Sequence, residues 1–264
     1  MGFFKDKVIW ITGASSGIGE ALALELAKGE ARLIISARRE DELKRVAALT
    51  KLPDLDLMIL PFDLNDTSKA TALTANIINK FGRIDILVNN GGMSQRSEME
   101  KTSIEIDREL MEVNYFSAVN LTRAVLPYMK RQKSGNIIVI SSVAGKFGFY
   151  LRSGYSAAKH ALHGFFDSFR LETEKDGIKT LIVCPGKINT NISLNAVTDK
   201  GKHGKMDVSH ANAMSAGECA NIILKAIQNN QEEILIGGKE LTAVKIKRFF
   251  PKWFGKIIRK QSPF

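Results

Sequence analysis

A tyrosine and a lysine stand four residues apart in Tyr155-Ser156-Ala157-Ala158-Lys159, and Ser142 precedes the tyrosine by thirteen positions. On a helix, residues at i and i+4 share a face, so an ammonium there could lower the phenol's pKa toward working pH. A tyrosine tuned in this way gives a proton to a developing alkoxide or takes one from an alcohol, while a serine hydroxyl holds the same oxygen. The chemistry suggested is interconversion of a carbonyl and an alcohol, with the hydride carried by a cofactor. Any solvated helix can show a lone Tyr-x-x-x-Lys, so the pair gains its weight from what accompanies it.

The companion is Thr12-Gly13-Ala14-Ser15-Ser16-Gly17-Ile18-Gly19, which follows an apolar run and opens a helical pattern. Its glycines let the backbone turn tightly and approach a pyrophosphate at the helix N-terminus. At the end of the next apolar run, where an acid would hold the ribose hydroxyls of NAD, the residues are Ser36-Ala37-Arg38-Arg39. Two guanidiniums suit a 2′-phosphate, so NADP(H) is expected over NAD(H). The other reading of the pair is a solvated opening to the helix containing Glu40 and Asp41.

The elements that must position these groups are short apolar runs, rich in β-branched residues, at 7–12, 32–37, 57–62, 84–89, 136–142, 180–184 and 233–236, with helical stretches between them. Strands this apolar on both faces, alternating with helices, predict an α/β fold: a single-domain, doubly wound parallel sheet of Rossmann type with helices on both faces. Residues 1–238 form the expected catalytic domain, including a polar substrate flap at 189–212, and residues 239–264 form a C-terminal extension.

Charge sets that extension apart. The chain of 264 residues carries a net +10, and eight Lys/Arg against Glu240 place +7 of it in the last 26 residues. The body is nearly balanced, so an electrostatic partner would meet the tail, and no nucleic-acid-reading motif accompanies the charge. Phe249, Phe250, Trp253, Phe254, Ile257 and Ile258 interleave with its cations. This pattern fits peripheral membrane contact, and equally a basic helix covering the pocket or a neighbouring subunit. Charges at Lys5, Asp6 and Lys7 interrupt the start, and two cysteines, Cys184 and Cys219, are too few for a disulfide framework. A cytoplasmic protein, with or without peripheral membrane association, is the expectation.

Together the motifs resemble the short-chain dehydrogenase/reductases over residues 7 to about 238. They are Thr12-Gly13-x-x-x-Gly17-x-Gly19, Asp63, Asn89-Asn90-Gly91-Gly92, Asn114, Ser142, Tyr155-x-x-x-Lys159 and Pro185-Gly186-x-x-x-Thr190. The wording of 89–97 is most similar to the subgroup called dehydrogenase/reductase member seven, near the hydroxysteroid and retinol dehydrogenases. The resemblance implies a catalytic set of Asn114, Ser142, Tyr155 and Lys159, with Asn114 holding a water in a proton relay. It implies a cofactor bound by Gly13, Ser15, Ser16, Gly17, Ile18 and Gly19. Arg38, Arg39, Asp63, Leu64, Asn90, Gly91, Tyr155, Lys159, Pro185, Gly186, Ile188 and Thr190 complete that set. Gly91 replaces the usual alanine, a loss of one methyl that should leave the cofactor geometry intact. A homodimer or homotetramer and a hydrophobic carbonyl or alcohol substrate, steroid-, retinoid- or lipid-like, are further implications.

For the substrate, Ser94, Gln95, Phe149 and Tyr150 are the candidates, with Met93 beside them. His160 and His163 lie three apart on the same helix, yet no ligand cluster completes a metal site, and ordinary packing is expected. His203 and His210 fall in the flap. The competing function is a catalytically silent protein that binds cofactor as a redox sensor, or a membrane-associated adaptor on the same fold. Such a protein would have no need of Tyr155 and Lys159.

Overall fold

Every residue of the first strand, β1 (Val8–Thr12), is buried, as expected of a strand covered on both faces. In the computed structural model, which describes residues 2–202 and 213–260, six more strands line up with it. They are β2 (Arg32–Ser36), β3 (Leu57–Ile59), β4 (Ile86–Asn89), β5 (Gly135–Ile140), β6 (Ile178–Pro185) and β7 (Glu233–Ile236). All pairings are parallel and the spatial order is β7-β6-β5-β4-β1-β2-β3. The order reverses between β1 and β4, which opens a crevice at the carboxyl edge of the sheet.

Two apolar layers follow from the period of two along each strand. Ile9, Ile11, Leu33 and Ile35 face one way, onto α1 (Gly17–Lys28), α2 (Glu40–Thr50) and α7 (Ala216–Gln228). Val8, Trp10, Ile34 and Leu87 face the other, onto α3 (Ala70–Phe81), α5 (Ser117–Gln132) and α6 (Ser153–Thr173). Cys184 and Cys219 are buried free thiols, one in each layer.

All seven expected strands form, with shifted ends. The run at 136–142 pairs only to Ile140, because Ser142 leaves the sheet to cap the 3₁₀ turn Val143–Gly145, its hydroxyl accepting Ala144 N–H at 3.1 Å. The expected flap is partly tied down. Ile188–Asn189 pairs with Met214–Ser215, and Val197 exchanges backbone bonds of 2.8 Å with Ser94 and Arg96. His203 and His210 lie outside the described residues. The extension forms two helices, α8 (Glu240–Phe249) and α9 (Pro251–Arg259), with Pro251 at the start of the second, where its missing N–H is harmless.

Candidate active site

The strand–turn–helix at the N-terminus builds one end of a cavity of about 610 Å³. Gly13 and Gly17 both hold left-handed backbone, φ +64° and +60°. A Cβ on Gly13 would stand 2.6 Å from Gly91 Cα, so only glycine lets the two loops touch. Asn90 stitches them together, its Nδ2 donating to the carbonyls of Thr12 (2.8 Å) and Gly13 (3.2 Å). Helix α1 begins at Gly17 on the cavity wall, and the Ser16 side chain makes no capping hydrogen bond, which keeps the first-turn N–H groups available to an anion. Gly19, expected beside the cofactor, is not on the wall; it is buried where α1 crosses the carbonyl of Gly13.

Beyond this turn, Arg38 and Arg39 both line the cavity. Arg39 Nη2 reaches Ser15 Oγ at 3.4 Å, and Arg38 Nη1 lies 3.8 Å from an Asp63 carboxylate oxygen. Arg45, which sequence reasoning did not single out, donates to the Ser15 carbonyl at 3.3 Å while forking onto Glu20 at 2.8 and 2.9 Å. Leu64 closes the floor beneath Gly91, where a Cβ would collide with the Leu64 Cδ1 methyl.

At the far end of the same cavity stand Ser142, Tyr155 and Lys159, the last two on α6. Lys159 Nζ donates to the Ile140 carbonyl at 2.9 Å and sits 5.8 Å from the centre of the Tyr155 ring. Burial pushes the Lys159 ammonium down to about 8. Burial also drives Tyr155 upward, opposed by the charge of Arg152 and by a hydrogen bond with Ser142. This corrects the expectation drawn from i,i+4 spacing: desolvation outweighs the lowering of the phenol, and the lysine is not among the groups that oppose it.

Asn114 is buried beside the wall, in a π-helical segment, Glu112–Phe116, that carries the end of the short helix Ile104–Met111 into α5. Its Nδ2 donates to the carbonyls of Met93 and Leu110, and its Oδ1 accepts Met93 N–H. A Cβ placed on Gly92 would lie 2.7 Å from Asn114 Oδ1 and 3.6 Å from Lys159 Nζ, so the two side chains converge there. Pro185, Gly186, Ile188, Thr190, Ser94, Phe149 and Tyr150 all line the cavity. Gln95 does not: it is wholly buried, and its Oε1 accepts Tyr155 N–H at 3.2 Å.

His163 is buried behind Ser141, its Nε2 3.0 Å from the Ser141 hydroxyl and its Nδ1 3.2 Å from Lys146 Nζ. His163, Cys184 and Glu233 bring ligand atoms within 4.8 Å of one another, but Lys146 Nζ, 2.5 Å from Glu233, already supplies the positive charge there. His160, by contrast, is exposed on another side of α6. The tail covers part of the pocket: Ile258 and Glu240 line it, and Phe254 packs on Phe147 with ring centres 4.9 Å apart. The Glu240 carboxylate accepts Lys187 N–H at 3.0 Å. As the single acid of residues 239–264, it could have been picked out from the charge pattern.

The profile of the family described as short chain dehydrogenase matches residues 7–201. The chain is 46% identical over 236 residues to "Dehydrogenase/reductase SDR family protein 7-like" of Anopheles gambiae, covering 87% of this chain and 74% of that protein. To human "Dehydrogenase/reductase SDR family member 7" it is 41% identical over 268 residues, 97% of this chain and 78% of the relative. A short-chain dehydrogenase from Streptomyces avermitilis superposes with a TM-score of 0.80 at 28% identity, covering 98% of this chain and all of that one.

Proposed function

The chain belongs to the short-chain dehydrogenase/reductase family of oxidoreductases, and from that premise we propose that it uses NADP(H) to interconvert a hydrophobic carbonyl compound and its alcohol. The observation that carries this reading is a single cavity with Ser15, Arg38 and Arg39 at one end and Ser142, Tyr155 and Lys159 at the other. The glycine turn fits a dinucleotide, since Gly13 and Gly17 bring left-handed backbone without side chains to the cavity wall. When bound, the nicotinamide would give or accept the hydride.

The residues of the chain then have separable tasks. Arg39 with Ser15, and Arg38 beside Asp63, hold a 2′-phosphate by charge-assisted bonds. Ser142 fixes the reacting oxygen, and the Tyr155 hydroxyl moves the proton on or off it. Lys159 holds ribose hydroxyls beside Tyr155. Asn114 connects this group to solvent through a water. Met93, Phe149, Tyr150 and Ile192 give the substrate end an apolar wall suited to a lipophilic carbonyl. The enzyme works as a homodimer or homotetramer, as the family resemblance implies.

The test is a fluorescence titration with NADPH and NADH, followed by turnover assays on steroid, retinoid and aliphatic carbonyls. Tighter binding of NADPH with turnover of any lipophilic member supports the reading. Binding without turnover across the panel favours the silent sensor, and binding of neither cofactor overturns both.

A further inference from the structure

We infer that the corner between α8 and α9 docks onto anionic lipid bilayer surfaces. Phe249, Phe250 and Trp253 face solvent there, 72%, 62% and 56% exposed, and the rings of Phe250 and Trp253 lie 6.4 Å apart. Exposed aromatic side chains gathered at one corner make a candidate contact site. The exposed cations Lys245, Lys247 and Arg248 lie on α8 and Lys252, Lys256 and Arg259 on α9, and no acid follows Glu240.

Charge selects the occupant. A second copy of the chain laid face to face would set one +7 tail against another. An anionic bilayer supplies both what the cations attract and an apolar layer for the aromatic rings, with tryptophan suited to the headgroup boundary. Among the described residues no helix is long and apolar enough to cross a membrane, so the contact lies in the plane of the interface.

The docking face is fixed relative to the active site. The opposite side of α9 buries Phe254 on Phe147, whose ring centre is 4.7 Å from that of Phe149 on the cavity wall, and Ile258, one turn further, lines the cavity itself. One nine-residue helix thus separates lipid from pocket. For the lipophilic carbonyl proposed above, and resting on that proposal, the substrate would enter from the bilayer side.

Docking is testable without turnover. The chain has two tryptophans, and Trp10 is wholly buried with its Nε1 donating to Ser36 Oγ at 2.8 Å, so a vesicle-induced change in emission reports Trp253. Co-flotation and emission are measured for the full chain with phosphatidylcholine vesicles, with and without about 30% phosphatidylserine. We expect binding about tenfold or more tighter to the anionic vesicles, with a blue-shifted emission. Phe249→Ser combined with Phe250→Ser and Trp253→Ser should lose about tenfold or more of this binding while NADPH affinity is retained. Equal binding to both vesicle types overturns the inference. So does an unshifted Trp253 emission on bound protein, or a dimer that the triple variant dissociates and that vesicles do not displace. These outcomes stand apart from whether any carbonyl is turned over.

Discussion

Gln95 Oε1 accepts the backbone N–H of Tyr155 at 3.2 Å, and Gln95 Nε2 is itself held by Thr102 Oγ1 at 3.1 Å. Tyr155 lies in the first turn of α6, where backbone N–H groups have no partner within the helix. A buried glutamine therefore satisfies an orphan donor and holds the backbone of the tyrosine proposed to transfer the proton. Gln95→Leu leaves that N–H unpaired, at a cost of about 1–3 kcal/mol in unfolding free energy. We expect kcat to fall while the Kd for NADPH is unchanged; unchanged kcat and Tm would show the bond to be dispensable.

Tyr155→Phe removes only a hydroxyl from a buried ring. Turnover should drop by about 100-fold or more with NADPH affinity nearly unaltered. Activity within a few fold of the parent enzyme, measured on the same carbonyl, would exclude Tyr155 as proton donor.

Arg38→Ala with Arg39→Ala takes both guanidiniums from the cavity end near Ser15. NADPH should bind about tenfold or more weaker and NADH hardly change, because only the former carries the phosphate these groups would fork onto. Parallel losses for the two cofactors would refute the 2′-phosphate contact.

Lys159, lowered by burial to about 8, gives a pH dependence of definite sign. Below that value the ammonium is charged and can hold ribose hydroxyls by charge-assisted bonds; above it the charge is lost. NADPH affinity of the free enzyme should therefore weaken as pH rises through about 8. In Lys159→Arg, which stays charged, this limb should vanish. A flat wild-type titration from pH about 6 to about 10 would contradict the assignment.

Gly19→Ala and Gly91→Ala should part company. The first drives a Cβ into the Gly13 carbonyl, which is backbone and cannot yield, so we expect a loss of about 1–3 kcal/mol in stability and weakened cofactor binding. The second collides with the tip of the Leu64 side chain, which can rotate, and stands 3.3 Å from Gly13 N, so NADPH affinity should change by less than about threefold.

Much of this was legible in the chain. β-branched runs separated by helical periods specify a parallel sheet covered on both faces, and all seven strands appear where those runs stand. Thr12 to Gly19 announced a turn that needs positive φ, which Gly13 and Gly17 adopt. The subtler positions were not legible. Gln95 reads as a substrate-facing loop residue, and nothing local shows that it will instead be buried against a helix sixty residues later. Ser142 reads as the end of a strand, yet it caps a turn.

The sequence by itself determined the order of elements, the residues able to transfer a proton, and a tail set apart by charge. These depend on composition and short spacing, which act over a few residues. Only the tertiary structure decided that burial raises Tyr155 and lowers Lys159, that Asn114 and Lys159 converge at Gly92, and that α9 turns one face to the pocket and the other to solvent. Desolvation and long-range contact depend on what the rest of the chain packs around a group, and spacing along the chain does not contain that.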